Sequence, residues 1–147
     1  MEACIISTQS SMKTQEPTSQ EIEELVAFMP QLYAEGFTPI KQWQGGTDGP
    51  EGTSSFHMAE YNELVKEFFR LAASPCWQDR DYLSKKAGHM LRDQNLIKKA
   101  SLDQIKTMLT FCVREERFCE GHWAAVIKAG YIRQILERLA ILALEST

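Results

Sequence analysis

Residues 59–74, AEYNELVKEFFRLAAS, carry the most regular pattern in the chain. Tyr61, Leu64, Val65, Phe68, Leu71 and Ala72 recur at three- and four-residue intervals, which a 3.6-residue helical turn gathers onto one face. Ser74-Pro75 closes the run, because proline drives the preceding residue out of helical geometry. An apolar stripe this continuous must be covered by other elements, so the flanking sequence decides the fold class.

Upstream, Thr18 and Glu21 have the spacing of a capping box, in which each side chain satisfies the other residue's free backbone N–H. Ile22, Leu25, Val26, Met29, Leu32 and Tyr33 continue at helical spacing. Pro30 lacks the N–H that would bond back to Val26 and costs about 3 kcal/mol inside a helix. The helix is therefore predicted to end near Met29 or to kink there, with Gly36 as a stop. Residues 38–55, TPIKQWQGGTDGPEGTSS, hold four glycines and two prolines and read as a long loop. Trp43 is its large anchor, expected to tuck onto the helices or, on a sharper reading, to stack on a ligand.

Downstream, Asp79 or Asp81 is placed to start a helix that buries Leu83, Ala87, Met90 and Leu91. His89 on it reads as a partly buried structural histidine, with a ligand as the alternative. Ser101 and Gln104 form a second capping box ahead of Leu102, Ile105, Leu109 and Cys112. Gly130 separates Trp123–Ala129 from a final stripe of Ile132, Ile135, Leu136, Leu139 and Ala143. No segment alternates with a period of two, so no sheet is expected. The predicted fold is all-α: a compact bundle of five or six helices, without internal repeats, with a long Gly/Pro-rich loop between the first two. Residues 1–17, rich in Ser, Thr and Gln, are expected to be a flexible tail, and residues 18–147 a single helical domain.

With 147 residues, 44% apolar and 24% charged, the chain has the composition of one globular domain. Its net charge of −4 gives no reason to expect nucleic-acid binding. The charge is uneven: residues 1–74 carry 11 acids and 4 bases, whereas residues 75–147 carry 9 acids and 12 bases. That asymmetry fits mutual attraction within one fold; on the sharper reading, Lys85, Lys86, Arg92, Lys98, Lys99 and Lys106 form a basic surface for phosphate or an acidic partner. Cysteines stand at 4, 76, 112 and 119 with no CxxC pair. The N-terminus lacks a signal-peptide pattern, and the apolar run Leu139 to Leu144 is too short to span a bilayer. A cytoplasmic location with reduced thiols follows as the expectation.

The densest chemistry lies in REERFCEGHW, residues 114–123. If the helix of Leu109 continues, each residue turns it by about 100°, so Glu116 falls within about 20° of the centre of the apolar face. A carboxylate there must find a cation, accept backbone hydrogen bonds or hold a proton. Arg117, Arg114 or an arginine of another helix is the expected partner, because a guanidinium fork can engage both carboxylate oxygens. The helix is expected to stop near Gly121, with Glu120 at the start of the next one and His122 and Trp123 in its first turn.

Thr110, Arg114, Glu116, Arg117, Phe118, Glu120, Gly121, Trp123 and the Leu136–Leu139 stretch together resemble the C-terminal signature of an uncharacterised bacterial all-helical domain family. The similarity covers about residues 60–140, and its most specific part is the Arg-x-Glu-Arg-Phe-Cys core followed by an acidic residue, Gly121, His122 and Trp123. It implies an all-helical domain with this corner as its hallmark, and it implies no catalysis.

Four readings of the corner follow from residue chemistry. Cys112, Cys119 and His122 offer soft ligands to zinc, with Cys76 needed as a fourth. Cys119 near a helix N-terminus, with His122 as base and Glu116 as orienter, can be drawn as a nucleophilic site, though no oxyanion hole is evident. Arg114, Arg117 and His122 can hold an anion, and Trp123 can stack on a base. Finally, the ionic cluster can simply fix the helix junction while function lies on a surface that contacts another protein. This last reading predicts a small cytoplasmic interaction or regulatory module with a protein partner and without cofactor, metal or membrane attachment. An anion- or nucleotide-binding domain or an enzyme using Arg114, Glu116, Arg117, Cys119, His122 and Trp123 is the alternative, and an open pocket lined by those side chains would favour it.

Overall fold

A computed structural model of the chain describes residues 16–44 and 58–145. Most of the expected N-terminal tail and the glycine-rich stretch 45–57 lie outside the described residues. The elements in chain order are α1 (Ser19–Val26), α2 (Met29–Leu32), β1 (Ile40–Gln44), β2 (Met58–Tyr61), α3 (Glu63–Ala72), a 3-10 turn (Pro75–Trp77), α4 (Ala87–Leu91), α5 (Gln94–Lys98), α6 (Leu102–Arg114), a second 3-10 turn (Glu115–Arg117), α7 (His122–Lys128) and α8 (Tyr131–Glu145). The fold is mostly helical, as expected, but departs from the expectation in several places. The chain has a sheet, because β1 and β2 pair antiparallel with Trp43 opposite Ala59. The stretch that opens at Ala59 is thus a strand before it is a helix: Asn62 caps α3 by accepting the Leu64 N–H at 3.0 Å. Ala59 and Glu60 are good helix formers by themselves, so it is pairing with β1 that overrides local propensity and makes this stretch a strand.

Both capping boxes form, at Thr18–Glu21 and Ser101–Gln104. The Thr18 backbone N–H holds the Glu21 carboxyl below the usual carboxylate range. Pro30 does break the first helix; it then sits in the opening turn of α2, where a missing N–H costs nothing.

The core gathers around α6. From Ile105 to Thr110 every side chain is buried, because α3, α4, α7, α8 and the Pro75–Trp77 turn surround it. Three of those residues are polar, and each has partners. Thr110 Oγ1 accepts the Asp79 N–H at 2.9 Å and reaches the Lys106 and Trp77 carbonyls. Thr107 donates to the Asp79 carboxylate, which also takes Lys85 Nζ at 2.8 Å and the Asp81 N–H. Burial works to raise the Asp79 pKa, yet these donors, Lys85 foremost, hold it below the ordinary value. Lys106, expected on a basic surface, is instead only 3% exposed and stands 3.9 Å from Glu16. The long helix expected from Asp79 shrinks to α4, since Asp79 is spent on tying the preceding turn to α6. Leu83 is accordingly exposed and Tyr82 buried in its place. His89 is exposed rather than partly buried.

Candidate functional site

The chain turns from α6 to α7 through Glu115–Arg117 and Gly121. α6 stops at Arg114, two residues short of the carboxylate that a continuous helix would have aimed into the core. The tighter 3-10 turn brings Glu116 back toward the start of α7 instead. There Oε1 accepts the Trp123 N–H at 2.9 Å and Oε2 accepts the Gly121 N–H at 3.1 Å. The Tyr61 hydroxyl donates to Oε1 at 2.8 Å. Glu116 therefore caps α7 from outside the helix, matching its charge to the positive end of the peptide dipoles. The expected guanidinium partner is not there: among the described residues Glu116 makes no ion pair with arginine. Two amides and a phenol satisfy it, and the N-cap residue Gly121, having no side chain, supplies no competing cap. Burial, with the Glu116 carboxylate second, pushes the Tyr61 hydroxyl well above the usual tyrosine range.

The flanking residues close this corner. Gly121 has φ +90°, and Trp43 Cη2 lies 2.9 Å from where a Cβ would stand. Trp43 is half-exposed while its ring edge covers that glycine, so it is tucked on the corner rather than into the helices. Glu120 is not in α7; its carboxylate accepts the Ala59 N–H at 2.8 Å and fastens β2 to the turn. Trp123 stacks on Phe69 at 4.5 Å with the planes 5° apart, meets Tyr61 at 5.1 Å, and donates Nε1–H to the Val113 carbonyl at 3.2 Å. That indole has no face left for a base. His122 packs edge-on against Phe111 at 5.5 Å, and its Nε2 is buried without a hydrogen-bond partner. Burial depresses its pKa despite the nearby Glu115 and Glu116.

Among the described residues the thiols are not gathered into one site. Cys112 is fully buried, where desolvation pushes its pKa far up, while Cys119 is exposed. Cys76 lies in the core with its pKa pushed up to about 11 by burial and by Glu21. Among the described residues no group of three or more His, Cys, Asp or Glu is placed to hold a metal ion. Among those residues, too, no helix is long and apolar enough to cross a membrane.

Arg114 and Arg117 turn the other way, out of the Glu116 corner. Both line a cleft of about 240 Å³ walled by Ala72 and Ala73 at the end of α3, by Gln78, and by Thr110 and Val113 of α6. The Arg114 guanidinium carbon sits 5.9 Å from the Tyr82 ring centre, and that of Arg117 sits 5.9 Å from the ring of exposed Phe118. Among the described residues neither guanidinium has a carboxylate within ion-pair distance. Thr110 belongs to the signature stretch, but its place in this lining shows only once α6 is seen to be buried all round, and Gln78 gives no sequence pattern at all.

No curated protein and no solved structure matches the chain. The sequence model of a family of unknown function, DUF6508, matches residues 17–145, and the chain belongs to that family.

Proposed function

We propose that this domain is a binding module that takes an anionic group in the Arg114–Arg117 cleft. The observation that carries the reading is the pair of guanidiniums lining one cleft without a carboxylate partner, while the acid expected to neutralise them is satisfied elsewhere. A guanidinium is always charged at physiological pH and is most stable with a planar anion or phosphoryl group against its fork. Two of them, each near an aromatic ring and without an ion pair among the described residues, form a receptive site. The lining offers no carboxylate, thiol or imidazole for acid–base or nucleophilic work, which favours binding over catalysis. The free thiols at Cys76, Cys112 and Cys119 support a reducing compartment such as the cytoplasm as its place of work. In this form the module is regulatory or adaptor-like, its partner presenting the anion.

Thermal unfolding of the purified chain against phosphate, sulfate, acetate and citrate tests the reading. A rise in the midpoint with at least one anion, absent in Arg114→Gln/Arg117→Gln, is the expected result. No shift with any of them at millimolar concentration would overturn it.

A further inference from the structure

We infer that the anion is a phosphomonoester, an inference that rests on the anion-binding reading above. A carboxylate carries a single charge on two oxygens, so set between two guanidiniums it leaves one positive charge unbalanced. A phosphomonoester carries close to two negative charges near pH 7 and three strong acceptor oxygens, enough for both forks at once. The Tyr82 and Phe118 rings stand 5.9 Å from the two guanidinium carbons, a contact that takes up none of the N–H donors. No acid in the lining competes for them.

Size and stacking narrow what bears the phosphoryl group. At about 240 Å³ the cleft is smaller than the roughly 300–1,000 Å³ that encloses a drug-sized ligand. It has room for the ester head and the first atoms behind it. A nucleotide base would need an aromatic platform; Trp123 is consumed by Phe69 and Tyr61, while Tyr82 and Phe118 already face the two guanidiniums. The cleft therefore reads the ester head, whether a small molecule or a phosphorylated side chain carries it.

The test uses the full chain, with arginine Nε–H resonances and calorimetry as readouts. The probes are inorganic phosphate, O-phosphoserine, AMP, sulfate, and a short peptide with a central phosphoserine beside the same peptide with glutamate there. Phosphoserine probes are expected to move both the Arg114 and Arg117 resonances, and the phosphopeptide to bind at least about tenfold more tightly than its glutamate twin. Lowering the pH from 7.5 to 5.0 is expected to weaken phosphoserine binding about tenfold, because the second phosphate ionisation lies near pH 6. The lining itself holds no group that titrates in that range. His122, Glu115 and Glu116 on the adjoining turn and α7, and Asp79 with Lys85 beside α6, lie outside it; sulfate, which keeps its charge, controls for them and is expected to bind equally at both pH values. Arg114→Gln and Arg117→Gln are each expected to weaken phosphoserine binding at least about tenfold with an unchanged thermal midpoint. A peptide binding more tightly than free phosphoserine supports a phosphorylated protein as the source, and equal binding supports a small ester. A glutamate peptide that binds as tightly as the phosphopeptide overturns the phosphomonoester inference and leaves the anion reading standing. AMP binding tenfold more tightly than O-phosphoserine overturns the head-group inference. Arginine resonances that no probe moves overturn both.

Discussion

Glu116 accepts hydrogen bonds from the Tyr61 hydroxyl and from the Gly121 and Trp123 amides, so its removal strands three donors at a half-buried corner. Glu116→Ala is expected to lower unfolding free energy by about 2–4 kcal/mol, the loss of a helix cap together with a buried hydrogen bond. Urea unfolding checks this, and a midpoint equal to wild type would refute it. Arg114→Ala and Arg117→Ala are expected to stay within about 0.5 kcal/mol of wild type, because neither the half-buried Arg114 nor the exposed Arg117 belongs to an ion-pair network among the described residues. That contrast separates capping by amides from neutralisation by arginine. The sequence made the acid legible, because a heptad count from Leu109 lands on it. It did not make the partner legible: the count assumes an unbroken helix, and the change from α-helix to 3-10 turn at Glu115 swings the carboxylate toward the next helix.

At the scale of elements, the β1–β2 hairpin and the α6–α7 turn hold each other. Glu120 takes the Ala59 amide, and Trp43 lies against Gly121. Gly121→Ala is expected to cost about 1–2 kcal/mol from its positive φ alone. The added methyl also meets the Trp43 ring, so tryptophan fluorescence should shift toward the solvent-exposed wavelength. Trp43→Ala combined with Gly121→Ala is expected to cost less than the two changes added together, and additivity in a double-mutant cycle would refute the contact. The helices around this latch were readable from their caps and stripes: Thr18, Ser101 and the break at Pro30 are local signals. The hairpin was not. Ile40-Lys41-Gln42-Trp43 and Met58-Ala59-Glu60-Tyr61 are short and mix strand-favouring with strand-disfavouring residues, and their pairing across the intervening stretch leaves no local signature.

At the scale of the molecule, the buried ionisable groups make stability depend on pH from both sides. His122 has its pKa lowered by burial, so below the ordinary histidine value near 6.5 the unfolded chain takes up a proton that the folded chain resists. Stability present above that pH is expected to fall as the solution is acidified, and His122→Phe to flatten the decline; equal slopes for both proteins would refute the assignment. Tyr61 acts oppositely. Its raised pKa means that stability, intact below pH 10, declines as the pH climbs beyond it, and Tyr61→Phe should remove part of that loss. The burial of α6 on all sides is likewise a property of the whole. Lys106 reads as a surface base, and only the enclosing helices with Asp79 make it and its neighbours Thr107 and Thr110 interior. Tyr33 shows the same long reach: its hydroxyl donates to the Ile127 carbonyl at 2.7 Å and accepts the Arg133 N–H at 3.1 Å, across the break at Gly130. The opening amides of a helix ordinarily exchange with solvent deuterium within moments, since nothing inside the helix shields them. Arg133 should be an exception, keeping its hydrogen until the N-terminal third of the chain has come away from α8.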